Sequence, residues 1–525
     1  MKWFYEKNTE LLESPVNKTF EEILWCTENE FREWVKKLRE TVVNLWDTKN
    51  LPPRVGYNEN EIADQFREME TFPVHKFLIK DELTGEKDVI RNTSTIGNAV
   101  NQWFPTMMKT RINYNKNDDG KSIYDYFARP ELFETFITYA SRHFRRDSFY
   151  HYSSVAKVMD KEFCQEIPMA GTGASWIREF ESRFRGRGIY DYWLQPKDLS
   201  KQGYTGYNEK LKSQVYLTIN KDEIESLDIP KQCMTNVKYE KSEDYVIRPF
   251  KFGQKLFPVG LKAFRVSFCQ YAVNFPPLTA KYLYERYCNH IRGSNLIRIY
   301  DPSAGWGGRL LGAMAINSNH NVLYIGTDPN SDHRIEKHCT KYHEIADFYR
   351  EKINKGGLWE EDYSHTQTEI YQLGSEVIRD NKSFQKHHGL IDLVFTSPPY
   401  FAKEAYSEDP EQSYKKFGQY EEWRDGFLKP TLETAVEWLN NDRYLLWNIA
   451  DAVFAGDMLP LENDSIEILK ALGMEYHGKL KMALAQMPGG NRLDPVTGLP
   501  KAKNFCKIKG DMWLKYEPIF IFKKP

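Results

Sequence analysis

The sequence predicts an α/β protein, an open and mostly parallel sheet over 251–525 preceded by a mixed, mostly helical domain over 1–250. Short apolar runs alternate with helical stretches from about residue 250 onwards, the pattern of a parallel sheet covered on both faces. Two of those runs lead directly into glycine-rich or proline-rich turns, and an open sheet binds its ligands just past such strand ends. The last two runs have no helix between them, which predicts a closing antiparallel pair.

Taken in order, the first 50 residues read as helical. Thr27 and Glu30 have capping-box spacing, and Phe31, Trp34, Val35, Leu38, Val42 and Leu45 recur on one face as a core stripe. Residues 51–250 are irregular, with one strand expected at "QVYLTI" (214–219), and pattern alone assigns them no fold. "NFPPLTAKYLYERYC" (274–288) reads as a helix started by proline. The strands that follow are "LIRIY" (296–300), "VLYIG" (322–326), "TEIYQL" (368–373), "IDLVFT" (391–396) and "YLLWNI" (444–449). "HGKLKMALAQM" (477–487) and "WLKYEPIFIFKK" (513–524) form the closing pair.

Composition excludes several classes. With 41% hydrophobic and 28% charged residues, this is the make-up of a globular protein with large cores. The N-terminal "MKWFYEKNTELLE" is not a signal peptide, and no run approaches the ~18 apolar residues of a membrane span, so a cytoplasmic setting is expected. The seven cysteines are scattered without a CxxC, which reads as reduced thiols. His338, Cys339 and His343 lie in a charged helical stretch with no second ligand pair, so no metal site is expected. The net charge of −2 leaves room for a local basic face.

Three segments carry chemistry. In "LIRIYDPSAGWGGRLLGA" (296–313) a strand ends at Asp301, and Gly305, Gly307 and Gly308 let the backbone approach a ligand before a helix begins. The spacing is neither GxGxxG nor GxxxxGK[ST], so a dinucleotide dehydrogenase and a P-loop NTPase both fit poorly. Asp301 suits a ligand's cationic amino group. In "YIGTDPN" (324–330) Asp328 closes the next strand, where an acid accepts from ribose hydroxyls. In "DLVFTSPPYF" (392–401) two prolines end ladder pairing after a buried strand, so carbonyls of Ser397 and Pro398 face a cavity beside the Tyr400 ring. That set suits a flat, polar object.

"DPSAGWGG" followed by "TSPPY" resembles the cofactor-binding and catalytic motifs of S-adenosylmethionine-dependent DNA methyltransferases that act on exocyclic amino groups. The resemblance runs over about 274–525, where "FPPLTAKYL" looks like the helix before the glycine motif and "YEPIFIFKK" like the closing strand. It implies a Rossmann-like seven-stranded methyltransferase sheet, S-adenosyl-L-methionine as cofactor and double-stranded DNA as partner, in a bacterial or phage-infected cell. It also implies cofactor contacts from Phe275, Pro302 and Ala304 as well as from Asp301, Gly305, Gly307 and Asp328, and a catalytic set of Ser397, Pro398, Pro399 and Tyr400.

The implied mechanism has a physical basis. An exocyclic amino group is a poor nucleophile because its lone pair is delocalised into the ring. Ser397 and the Pro398 carbonyl would accept its hydrogens and localise that pair, while Tyr400 would stack on a base flipped out of the helix. Carbon-5 methylation needs a cysteine where Ser397 stands. Serine before the prolines leans toward N4 of cytosine, with N6 of adenine as the alternative. An RNA or protein substrate, or a binding module without catalysis, are further readings. The stretch 401–423 either borders the target or is a solvated linker, and the basic segment 489–510 either suits phosphate contact or is an exposed hairpin loop. Target recognition falls by exclusion to the N-terminal domain, with "RHFRRDSFYHY" (142–152) and "REFESRFRGRG" (178–188) as candidate surfaces.

Overall fold

A computed structural model describes residues 7–137 and 255–525, apart from short stretches of which 354–365 is the longest, together with three strands inside 138–254. Both arginine–aromatic segments, 142–152 and 178–188, lie outside the described residues, as does Thr27.

Each expected strand forms where its apolar run stands. In chain order the main sheet contains β1 (Leu78–Ile79), β2 (Val89–Ile90), β3 (Leu296–Asp301), β4 (Asn321–Thr327) and β5 (Thr366–Tyr371). It continues with β6 (Ile391–Thr396), β7 (Leu439–Asn448), β8 (Glu475–Ala483), β9 (Phe505–Ile508) and β10 (Met512–Lys523). Their spatial order is β1-β2-β8-β10-β7-β6-β3-β4-β5, with β9 paired to β10. Neighbours from β7 to β5 are parallel, and β10 runs antiparallel between β7 and β8. This is a Rossmann-like, seven-stranded sheet closed by the expected antiparallel pair, with β1, β2 and β9 added at its edge.

The strands are buried on both faces, and period-two alternation divides their side chains between two cores. Ile297, Ile299, Leu393, Phe395, Leu446, Ile519 and Ile521 enter one core, closed by the helix Pro277–Cys288. Tyr300, Val394, Leu445, Trp447, Phe520 and Phe522 enter the other, closed by the helices Lys429–Trp438 and Leu461–Ala471.

The compact units differ from the boundary expected near residue 250. One unit comprises Met1–Lys7, Gly56–Ile123 and Gln270–Pro525, and the other Asn8–Val55 and Tyr124–Cys269. The physical reason is apolar: Ile62, Phe66, Val100, Trp103 and Phe104, all from the irregular N-terminal stretch, are members of the first sheet core. The hairpin of β1 and β2 also continues the sheet, with β2 parallel to β8. In the second unit the helix Glu28–Lys49 buries Trp34, Leu38, Val42, Leu45 and Trp46, most of the expected stripe. The strand expected at 214–219 forms as Ser213–Leu217 in a three-stranded antiparallel sheet.

Candidate active site at the carboxyl edge of the sheet

The strand order reverses between β3 and β6: successive strands run one way from β3 through β4 to β5 and the other way from β6 to β7. Such a switch point opens a crevice past the carboxyl ends of the strands, and that is where ligands bind in open α/β sheets. Asp301 ends β3 and Thr396 ends β6, so the glycine loop and Ser397–Tyr400 leave the sheet on opposite sides of this crevice.

Asp301 is fully buried and its oxygens are taken. Oδ1 accepts from Thr396 Oγ1 at 2.6 Å and from the Ser303 N–H at 3.2 Å. Oδ2 accepts from Arg309 Nε at 2.7 Å and Tyr324 Oη at 2.6 Å. The acid expected to meet a ligand's ammonium is therefore neutralised by a guanidinium from its own motif. Arg309 is itself buried, which opposes its charge, but Asp301 more than compensates and raises its pKa. Arg309 also donates to the Ser303 carbonyl, so the pair fixes both ends of the glycine loop.

Asp328 is similarly engaged. Its Oδ1 accepts from the Asn330 N–H at 2.8 Å, and Oδ2 from the Gly305 N–H at 3.1 Å and Tyr342 Oη at 2.8 Å. Tyr342 reaches the Gly305 carbonyl as well, and His333 Nδ1 lies 3.0 Å from the same hydroxyl. The second strand-end acid thus holds the first loop in shape.

The three glycines have different physical reasons. Gly305 and Gly307 adopt φ of +61° and +72°, the left-handed region open to glycine. At Gly307 a Cβ would lie 2.9 Å from Ile345 Cδ1, and at Gly308 it would fall on the Phe275 carbonyl, so both answer to the protein's own packing. At Gly305 the nearest atom would be 3.6 Å away. Ser303 and Gly305 are the half-buried members of a loop in which Pro302, Ala304 and Trp306 are buried. The backbone from Ser303 to Gly305 is therefore open to close approach by a ligand, whereas the carboxylate of Asp301 is not. Phe275 is buried edge-on to Phe395 at 5.2 Å between centroids, with the Arg309 guanidinium 5.7 Å from its ring.

On the other side of the crevice Ser397, Pro399 and Tyr400 are half-buried and Pro398 is buried. The Ser397 hydroxyl and the Ala450 backbone both bear on the Tyr400 hydroxyl. Burial first, then the charges of Glu517 and Glu404, raise that phenol's pKa well above its ordinary value, so it stays protonated. Phe401 follows at φ +54°, a strained conformation for a bulky residue, held by packing against Tyr420, Trp423 and Phe454.

The chain beyond Tyr400 is a bordering loop rather than a linker. Glu404–Ala405 pairs with Arg111–Ile112, Tyr406 packs on Trp306 at 5.5 Å, and Asp409 Oδ2 accepts from the Ser331 N–H at 2.9 Å. It thereby passes the ends of β6, β3 and β4. In the basic segment, Lys503 is paired with Asp451 at 2.5 Å and Glu462 at 3.4 Å.

Sequence reasoning missed Arg309, Tyr324, Thr396 and Tyr342, which hold the two acids, and the pairing of Arg111–Ile112 with the loop beyond Tyr400. Arg309 carried a signal, being a cation in the first turn after the glycines and so beside the strand-end acid. Tyr324 and Thr396 carried none, because apolar strands use tyrosine and threonine freely, and Tyr342 reads as an ordinary position of the helix Lys341–Lys352.

No family model and no curated protein matches the chain. Solved structures with a related arrangement include a TehB-like S-adenosylmethionine-dependent methyltransferase from Corynebacterium glutamicum, at 14% identity and a TM-score of 0.23, covering 50% of this chain and 94% of that one. Another is a precorrin-6y C5,15-methyltransferase from Geobacter metallireducens, at 11% identity and a TM-score of 0.24, covering 45% and 83%. A third is a "Putative DNA Modification Methylase" from Thermus thermophilus complexed with S-adenosyl-L-methionine, at 22% identity and a TM-score of 0.18, covering 29% and 52%. At these scores the likeness carries no argument, and the fold class stands on the strand order of this chain. Among the described residues no helix is long and apolar enough to cross a membrane.

Proposed function

We propose that this protein transfers a methyl group from S-adenosylmethionine to the exocyclic amino group of a base flipped out of double-stranded DNA, with N4 of cytosine favoured over N6 of adenine. The observation that carries this reading is the placement of the glycine loop and Ser397–Tyr400 on either side of one switch point. The cofactor would supply an already activated methyl group, held along Ser303–Gly305 and beside Asp328. What the chain contributes is alignment and electrostatics, with no covalent nucleophile.

The Ser397 hydroxyl lies beside that of Tyr400, and its oxygen can accept an amino hydrogen. The Pro398 carbonyl takes the second hydrogen. Together they hold the lone pair out of the ring plane and aim it across the crevice. Tyr400 keeps Ser397 in orientation through its hydroxyl and offers its ring to the base.

Nucleoside mass spectrometry of unmethylated plasmid DNA incubated with the purified protein and S-adenosylmethionine tests the reading. A methylcytosine substituted at N4 is the expected product, and a methyladenine would change the base but keep the chemistry. Incorporation into tRNA or rRNA alone would replace DNA as the substrate. No methylated base in any of them would overturn the reading.

A further inference from the structure

The rim of the sheet carries a carboxylate that the reading above leaves unused. β10 pairs Ile519 with Asn448 and Glu517 with Met482, so Glu517 lies past the carboxyl end of β7. Strand alternation puts Glu517 on the face of Ile519, and Asn448 on the face of Leu446. Ser397 is the first residue past Thr396, which pairs with Trp447, the neighbour of Asn448, and the Ser397 and Glu517 side chains both act on the Tyr400 hydroxyl. Ser397, Asn448 and Glu517 thus form a strip along the carboxyl edge of three adjacent strands.

Two groups on this strip lack a hydrogen-bond donor among the described residues. Glu517 is half-buried, and no described group donates a hydrogen bond to its carboxylate. Asn448 is fully buried; its Nδ2 donates to the Pro518 carbonyl at 3.0 Å, while its Oδ1 has no donor. A buried acceptor left so costs about 1–3 kcal/mol, which marks the strip as built for something that donates.

The charged and titratable groups facing Glu517 are Lys403 and Glu404 from the loop after β6, Tyr400, and Lys515 on its own strand. Burial first, and then Glu404, raise the Glu517 pKa against the opposing pull of Lys403 and Lys515. The alternatives as a base are occupied or too weak. Glu404 accepts from Tyr406 Oη at 2.5 Å, the Tyr400 phenol stays protonated, and a serine hydroxyl is no base at neutral pH.

We propose that Glu517 accepts the proton that the target amino group must lose as it is methylated. This rests on amino-group transfer being the reaction. The nitrogen lone pair forms the new N–CH3 bond, and the electron pair of the broken S–CH3 bond stays on sulfur. One N–H proton passes to the Glu517 carboxylate, which returns it to solvent when the product leaves. Positive charge moves from the sulfonium to the nitrogen during the step, and a carboxylate on that side of the crevice stabilises it there.

The test compares wild type, E517Q and E517D on unmethylated plasmid DNA and on tRNA with S-adenosylmethionine, following kcat against pH. E517Q is expected to lower kcat by about a hundredfold and to lose the acidic limb of the profile. E517D keeps that limb and recovers part of the rate, and all three bind S-adenosylhomocysteine equally. Melting provides a readout apart from activity. Glu517 has a raised native pKa, so its contribution is present at low pH and is lost as pH rises through that pKa. E517Q should therefore melt above wild type at pH 8, and the difference should vanish below about pH 4, under the ordinary glutamate range. An active wild type whose E517Q variant keeps the same kcat and pH profile overturns the inference alone. A wild type that methylates no amino group on DNA or tRNA overturns the underlying reading, and this inference with it.

Discussion

Thr396 Oγ1 donates to Asp301 Oδ1 at 2.6 Å, joining the ends of the two strands that flank the switch point. The bond makes the crevice a property of both motifs at once: the strand that leads to Ser397 is tied to the strand that leads to the glycine loop. Arg309 completes the tie from the helix Gly308–Met314.

Because Asp301 and Arg309 are both buried, removing one leaves the other's charge without compensation. Asp301→Ala is expected to cost about 3–5 kcal/mol in urea unfolding, a penalty of stability beyond any loss of cofactor affinity. Thr396→Val removes a neutral donor only and should cost about 1 kcal/mol. Equal stability of Asp301→Ala and wild type would show that the pair is not closed in solution.

The glycines separate packing from binding. Gly308→Ala puts a methyl group against the Phe275 carbonyl and should lower the melting temperature sharply. Gly305→Ala meets no close neighbour and carries only the left-handed backbone strain of about 1–2 kcal/mol. Its larger effect should appear in calorimetric titration with S-adenosylhomocysteine, where affinity falls at least tenfold.

On the far side of the crevice, Tyr400→Phe keeps the ring and removes the hydroxyl that Ser397 and Ala450 approach. Its kcat should fall about tenfold with little change in KM, while Tyr400→Ala and Ser397→Ala should abolish methyl transfer. Single-turnover rates with labelled S-adenosylmethionine distinguish these cases, and full activity of Tyr400→Ala would count heavily against the assigned roles.

The N-terminal hairpin is held to the sheet by a buried ion pair, Lys481 Nζ with Asp81 at 2.6 Å and Asp88 at 2.8 Å. Burial pushes the Asp81 pKa up, but Lys481 and the backbone N–H groups of Leu83 and Lys507 outweigh it and lower the value. Its stabilisation is therefore present above the ordinary aspartate range near 4 and is lost as pH falls through the depressed native pKa. Asp81→Asn should melt below wild type at pH 7, and the difference should shrink as the pH is lowered below 4.

The seven strands at the centre of the sheet were legible in the sequence. Runs such as "IDLVFT" and "YEPIFIFKK" are buried on both sides, and a strand buried on both faces has to be almost wholly apolar, so its composition announces it. Glycine and proline spacing likewise showed where loops leave strand ends, because backbone freedom and a missing N–H are local properties. What the acids do was not legible there, because it depends on packing between distant segments. Asp301 and Asp328 read as ligand contacts because a carboxylate at a strand end is unexplained until its donors are known. Those donors, Arg309, Tyr324 and Thr396 for one and Gly305 and Tyr342 for the other, are brought in by packing from other segments. The same holds for Gly56–Ile123, where the helix Glu59–Thr71 has an apolar stripe at Ile62, Ala63, Phe66 and Met69 that does not by itself say which core it joins, and for Glu517. Its alternation places it on a face, but only the pairing of β10 between β7 and β8 sets that face beside Ser397. Local chemistry is written residue by residue; the partner of a buried charge is chosen by the whole chain.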